Sequence, residues 1–175
     1  MVHDSRKPHA GLSGQRFSAI VALTCLLCGG CACTSWPHFF SRPADRAIQE
    51  NDIRESVFRY RMEHLNGNGP IFLSIDGKDP SDTFMARFAE LNKTVKKASG
   101  SYFKKEPFPG WLRDRSTDEK GMTLSVDCIS WMSLDRVEVR GGMYCGGLCA
   151  DGGVYRLRKK DGRWVVEQYE VQMVS

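Results

Sequence analysis

Cysteine has the most reactive side chain in this sequence, and four of the seven cysteines lie close together near the N-terminus: Cys25, Cys28, Cys31 and Cys33. Their spacing, C-x₂-C-x₂-C-x-C, is similar to that of cysteine thiolates that hold iron–sulfur clusters. The residues between them are apolar or small, however, and they end an apolar run that begins at residue 17. We therefore expect no cluster, no other cofactor and no metal, and we interpret the region as an export leader.

Residues 1–31 have the organisation of a bacterial signal peptide. A basic start leads into the apolar run, which is too short to cross a bilayer because a spanning helix needs about 20 residues. Residues 26–31 resemble a lipobox, in which small residues precede the cysteine that receives the lipid, although Cys28 stands where leucine is usual. The resemblance implies lipidation of Cys31. Secretory cleavage near Ala32 without lipid is the alternative.

This leader determines the expected compartment and partners. We expect an exported protein of the bacterial cell envelope, either held at the membrane by a lipid on Cys31 or periplasmic. A protein partner is left open. The formal net charge is +4, and the leader carries part of it, so the remaining chain is too weakly basic to favour nucleic acid.

A second cysteine pair, Cys145 and Cys149, lies in a glycine-rich stretch. In an oxidising compartment this pair favours a disulfide. If the chain reverses at residues 146–148, the two Cα atoms face each other within bonding reach. If it reverses at residues 151–152, both cysteines lie on one strand about 13 Å apart and cannot bond.

The elements that must position these residues begin with a helix. Apolar residues at helical spacing predict a helix over residues 45–65, which the glycine-rich stretch 66–70 ends. Residues 71–75 form a short apolar run typical of a strand. Asp79 and Pro80 then suit the cap and first position of another helix, a better account of the local acidic residues than a calcium loop.

The middle of the chain is polar and contains an aromatic group. Residues 94–97 suggest a short strand and residues 99–120 a long loop, and long loops in compact domains are often functional. Four aromatic residues lie in this loop: Tyr102, Phe103, Phe108 and Trp111. They either cover the core from outside or form a rim that binds a ligand or a partner.

The C-terminal third predicts two β-hairpins. Residues 123–131 pair with 136–144, and residues 154–159 pair with 164–171 around the turn Asp161-Gly162. The second turn places Tyr155, Leu157, Trp164 and Val166 on one face, and Arg156 opposite Glu167 on the other.

Residues 142–166 resemble the C-terminal part of a group of uncharacterised exported bacterial proteins. The shared features are a Gly-Tyr-rich strand, a glycine loop, a Tyr-x-Leu strand and a Lys-Asp-Gly-x-Trp-x-Val hairpin, and the likeness extends over about residues 50–172. Domains similar to nuclear transport factor or cystatin end in a comparable Asp-Gly-x-Trp hairpin. The resemblance implies a fold and no activity.

Together these observations predict one α+β domain over residues 45–175, joined to the leader by a linker at 32–44. We expect its N-terminal helix to pack on a curved antiparallel sheet of four to five strands, similar to nuclear transport factor or cystatin.

The leading functional hypothesis is a non-enzymatic binding or accessory protein of the envelope, with no catalytic residue. One alternative is a small-ligand pocket protein or enzyme similar to nuclear transport factor, for which Asp127, Glu138 and His64 are the candidate ionisable groups. Another is an inhibitor that presents the glycine-rich loop 146–153 to a protein partner.

Overall fold

The computed structural model describes residues 43–65, 67–105 and 108–175, all of which belong to one compact unit. The predicted signal peptide, most of the linker and Cys31 lie outside the described residues. The architecture is α+β, with one long N-terminal helix and a mixed sheet of eight strands. The helices are α1 (Pro43–His64) and the short α2 (Asp82–Met85); the strands are β1 (Ile71–Ile75), β2 (Val95–Lys97), β3 (Ser101–Lys104), β4 (Trp111–Asp114), β5 (Met122–Trp131), β6 (Arg136–Gly146), β7 (Cys149–Lys160) and β8 (Arg163–Val174).

Helix α1 confirms the helix predicted from the apolar spacing. Its buried residues recur at helical intervals and enter the hydrophobic core: Ile53, Val57, Phe58 and Met62. Glutamates on the remaining surface form i,i+4 ion pairs with arginines, as in Arg46–Glu50 and Arg59–Glu55. The helix therefore has one face for the sheet and one for solvent.

The sheet is larger than the four to five strands predicted, and it is mixed rather than antiparallel. Strand β1 runs parallel to both β2 and β5, while β5 to β8 form an antiparallel meander. The extra strands β3 and β4 form a hairpin within residues 99–120, which the sequence predicted to be a loop. Each of these strands is only four residues long, so they carry too little alternation to be recognised as strands.

The sheet has two different faces. Apolar residues of β5, β6 and β7 alternate inward to pack on α1, and we call this side the core face. The strand residues in the main core cluster are Ile71, Leu73, Leu124, Val126, Ile129, Trp131, Val137, Val139, Tyr155, Leu157 and Trp164. The opposite side, which we call the outer face, carries polar residues and glycines from the same strands. The space between α1 and the meander is therefore filled by side chains.

The β3–β4 hairpin lies over one edge of the outer face. Phe72 of β1 points to this side and is fully buried, with Gly100 and Gly121 against its ring. Asp114 of β4 is also buried and accepts a hydrogen bond from Lys96 of β2 at 2.5 Å. That bond, followed by bonds from Ser116, holds the pKa of Asp114 well below its usual range. The hairpin is thus fixed to the sheet by an ion pair between the buried Asp114 carboxylate and the half-buried Lys96.

The predicted register of the last hairpin is confirmed near its turn. Lys159 faces Trp164 and Leu157 faces Val166, so the predicted core-side residues do share the core face. Beyond Leu157 a β-bulge shifts the pairing, and Arg156 faces Gln168 rather than Glu167. The predicted Arg156–Glu167 pair is therefore wrong; Arg156 forms ion pairs with Glu138 and Glu170 instead.

The predicted cap at Asp79 is also wrong. Helix α2 begins later, and Ser81 is its N-cap, with the Ser81 hydroxyl accepting a hydrogen bond from the Phe84 amide at 3.2 Å. The Asp79 carboxylate instead accepts a bond from the Ser99 amide at 2.9 Å, across the chain. The Asp79 carboxylate is therefore bonded to a residue 20 positions away instead of to the first turn of α2.

Two adjacent glycines in β7 should respond differently to the same substitution. A Cβ at Gly153 would lie 2.1 Å from the carbonyl oxygen of Glu170, whereas at Gly152 the nearest atom would be the Met173 Cε, at 3.6 Å. Gly153→Ala should therefore lower the free energy of unfolding by about 1–3 kcal/mol. Gly152→Ala should leave it unchanged or raise it by up to about 1 kcal/mol.

Urea denaturation of both variants beside the wild type measures this difference. Equal destabilisation by the two substitutions would contradict the backbone packing described for β7 and β8.

Candidate functional site

A row of small residues crosses the outer face of the sheet. Ser74 of β1 faces Ser125 of β5, which faces Gly142 of β6, and the row continues through Gly152 of β7 to Met173 of β8. Because directly paired residues on neighbouring strands share a face of the sheet, and Leu73 and Leu124 beside them face the core, these five residues all face outward. The two glycines in the middle leave the sheet without side chains there. The row is the floor of a depression.

This depression, which we call the glycine trough, has a volume of about 440 Å³. That lies within the range of small-ligand sites. Its lining comes from β1, the turn after β1, and the four strands of the meander: Ser74, Gly77, Thr123, Ser125, Asp127, Gly141, Gly142, Met143, Tyr144, Asp151, Gly152 and Met173.

The glycines of the trough have different reasons to be glycine. At Gly142 a Cβ would lie 2.4 Å from the carbonyl oxygen of Asp151, so close backbone packing requires glycine there. At Gly152 a Cβ would make only an ordinary contact with Met173. Backbone packing therefore does not require glycine at this position, and the missing side chain leaves the trough open there.

Hydroxyl groups from β1 and β5 line one side of the trough. Ser74 is only 8% exposed, yet it borders the cavity, and no side chain or backbone group among the described residues hydrogen-bonds to its hydroxyl. The Ser125 hydroxyl reaches only the Asp127 carboxylate, at 3.4 Å. The Ser74 Oγ is not one of the fully buried polar atoms that lack a partner, so it is open to the cavity and can meet a ligand or a water molecule.

Asp127 supplies charge at the mouth of the trough. The register of β5 against β6 shifts between Val126 and Cys128, and the bulge at Asp127 sets its carboxylate toward the outer face. Bulges of this kind often redirect a side chain beside a functional site. Desolvation raises the pKa of Asp127, and the negative charge of Asp76 raises it further. Because Asp127 is exposed and accepts a bond from Ser125, its charged form is only partly disfavoured.

The predicted aromatic rim is only partly brought together. Phe103 lies on one face of the β3–β4 hairpin, with its ring centroid 6.3 Å from that of Tyr144 at the trough. Tyr102 and Trp111 lie on the other face, under Arg115 and Lys120 respectively. Phe108 is 80% exposed at the hairpin tip. The sequence missed Tyr144, because only the pairing of β5 with β6 places it beside Thr123.

On the core face, beneath the trough, Asp151 forms a polar cluster. Its carboxylate accepts a bond from Arg61 of α1 at 2.5 Å and another from the Tyr169 hydroxyl at 2.6 Å. The ring of Tyr169 stacks on that of Tyr155 with centroids 4.3 Å apart. Burial, with the bond to Asp151, raises the pKa of Tyr169 to about 12. The cluster joins α1 to β7 and β8, and the Asp151 carboxylate is bonded within it.

Cys145 and Cys149 have the geometry of a disulfide, the first of the two predicted alternatives. The chain reverses between Gly146 and Cys149, which brings the Cα atoms of Cys145 and Cys149 to 5.2 Å in a disulfide. The same reversal corrects the prediction of a glycine-rich loop at 146–153, because β6 extends to Gly146 and β7 begins at Cys149. What reads as a glycine-rich loop is a hairpin with a tight turn.

The three candidate ionisable groups are not brought together. His64 ends α1 on the core side, with its Nδ1 2.7 Å from the carbonyl oxygen of Tyr60. Glu138 lies on the outer face in an ion pair with Arg156. Of the three groups, only Asp127 borders the trough. The sheet therefore separates the histidine from both carboxylates.

Comparisons with protein-family models, curated proteins and solved structures found no match. Within residues 43–65, 67–105 and 108–175, no helix is long and apolar enough to cross a membrane. In the same part of the chain, no group of three or more histidine, cysteine or acidic residues is arranged to hold a metal ion.

The raised pKa of Asp127 predicts a change in stability with pH. An unfolded aspartate titrates near pH 3.9. Between that pH and the higher folded value, the folded chain binds more protons than the unfolded chain, so ionising Asp127 destabilises the fold as pH rises. Asp127→Asn removes this penalty, so the variant should be more stable than wild type at pH 7 and equal to it below about pH 4.

Urea denaturation across this pH range tests the prediction. Asp76, whose charge contributes to the raised pKa, and Arg140, which lies opposite the adjacent residue Cys128, stay unchanged in both proteins. A variant that loses stability at pH 7 would show that the folded chain needs the carboxylate for its own structure.

Proposed function

We propose that this chain is an exported, non-enzymatic binding protein of the bacterial cell envelope that takes a small ligand in the glycine trough. The observation that carries the proposal is Gly152, which leaves the floor open where the fold does not require glycine. The Ser74 hydroxyl and the Asp127 carboxylate supply hydrogen-bonding groups beside that floor. Small-ligand sites typically combine such a concave surface with a few converging polar groups.

The outer face is a better ligand site than the space between helix and sheet. A protein similar to nuclear transport factor would hold its ligand on the core face, but Phe58, Val139 and Tyr155 fill that side. An α-helix over an antiparallel meander supports a fold similar to nuclear transport factor or cystatin. We propose that fold with the ligand site moved to the opposite face.

Export is supported by the leader and by the disulfide. Cys145 and Cys149 form their bond on the surface hairpin, and such bonds persist in oxidising compartments such as the periplasm. We propose that the mature chain begins at Cys31 and carries its lipid there. More than one acyl chain is needed for firm anchoring, as a lipidated N-terminal cysteine provides.

Substitution of the lipobox cysteine tests the anchor. In a bacterial host, Cys31→Ala should abolish processing and lipid labelling and leave the protein as the precursor. Cys33→Ala is the matched control and should be processed and labelled like the wild type. Mass spectrometry of the mature N-terminus is the readout. A mature wild-type chain that starts beyond Cys33 without lipid would overturn the proposal.

Filling the trough tests the ligand site. Thermal-shift screening of the mature domain against a fragment library that includes neutral, cationic and anionic members should find compounds that raise Tm, because ligands that bind the native state stabilise it. Gly152→Val should abolish these shifts, since its side chain would occupy the floor. Gln168→Val places the same side chain on the outer face away from the lining residues, and should keep the shifts.

Fragments that stabilise the wild type and Gly152→Val equally would bind elsewhere, which would contradict a site in the trough. A complete lack of stabilising fragments across the library would contradict the proposed function as well.

A further inference from the structure

We infer that the glycine trough selects an elongated organic cation of the polyamine class. This inference rests on the proposed ligand-binding function and adds the chemistry of the ligand. Its basis is the combination of charge, aromatic surface and unpartnered hydroxyl that the lining residues bring together.

The charge of the lining has one sign. Among the described residues that border the trough, the charged ones are Asp127 and Asp151, both acidic. The Asp151 carboxylate is bonded to Arg61 and Tyr169 on the core face, whereas the Asp127 carboxylate accepts a long bond of 3.4 Å from the Ser125 hydroxyl. Asp76 adds negative potential at Asp127, although Arg54 lies 3.9 Å from its carboxylate. Although Arg140 lies opposite the adjacent residue Cys128, Asp127 is the carboxylate left to meet a ligand in the trough, and a ligand ammonium would pair with it.

The opposite wall offers an aromatic surface. Tyr144 is 39% exposed at the trough, and Phe103, 46% exposed, lies beside it. Ring faces attract ammonium groups within about 6 Å of the centroid. The thioether of Met173 at the end of the floor adds a polarisable apolar contact. A cation therefore has a second place to bind, away from Asp127.

The distance between Asp127 and the aromatic surface at Tyr144 determines the length of the ligand. Tyr144 stands opposite Thr123, and Asp127 follows four residues later on the same strand. At about 3.3 Å per residue, the two places lie about 13 Å apart. The Ser74 and Ser125 hydroxyls lie between them and can accept hydrogen bonds from an ammonium in the middle of the chain. A linear triamine such as spermidine has ammonium groups at both ends and one between.

Calorimetric titration of the mature domain with spermidine tests this inference. Spermidine should bind with one site per chain, and 1,6-hexanediol and adipate, a neutral and an anionic chain, should bind much more weakly. Asp127→Asn should weaken spermidine binding about tenfold or more, the loss expected for one charge-assisted hydrogen bond. Tyr144→Leu should weaken it by a smaller factor. Asp161→Asn makes the same change in charge in the turn between β7 and β8 and should leave the affinity unchanged.

The possible outcomes separate the ligand class from the site. If the neutral or anionic chain binds and Gly152→Val abolishes that binding, the trough is a ligand site but the cationic ligand is wrong. If spermidine binds equally well to Asp127→Asn and to Gly152→Val, its binding is general attraction to acidic surface, and the inference is overturned. If spermidine does not bind at all, the inference also fails. The fragment screen then shows whether the trough binds a ligand of another class.

Discussion

The packing of α1 against the core face of the sheet is the constraint on which the rest of the structure depends. Ile53, Val57 and Phe58 meet the inward residues of β5 to β7, and burial of apolar surface at about 25 cal/mol per Å² makes this contact the main source of stability. Because strand residues alternate between faces, this contact also determines which residues face away from the helix. The polar and glycine residues of the meander are therefore placed together on the outer face, where a ligand can reach them.

The trough shows how a sheet can hold a concave site without a large loop. Cross-strand pairing aligns Ser125, Gly142 and Gly152 in adjacent strands, and the missing side chains lower the floor between the walls. Close backbone packing explains Gly142 but leaves Gly152 unexplained by the fold. The bulge at Asp127 then turns a carboxylate toward the depression. These features together give the outer face a concave surface with a carboxylate beside it, as a ligand site requires.

The sequence predicted those parts of the fold that depend on local pattern. Helix α1, strand β1 and the two C-terminal hairpins follow from periodicity and turn residues, and the disulfide follows once the chain reverses before Cys149. The parallel pairing of β1 with β5 and the hairpin β3–β4 were missed, because they depend on long-range contacts such as Lys96 with Asp114. The predicted pairing of Arg156 with Glu167 was wrong because the turn residues set the register only up to the β-bulge at Glu167. The trough itself could not be predicted, since its residues come from five strands.

The central claim is that the ligand site lies on the outer face of the sheet. Amide chemical-shift mapping of the ¹⁵N-labelled mature domain with spermidine tests it most directly. The account predicts that the largest shifts occur at residues of the floor and walls, namely Ser125, Asp127, Gly142, Tyr144 and Gly152, while α1 changes little. Largest shifts at Ile53, Val57 and Tyr155 would place the ligand between helix and sheet, and would contradict the account.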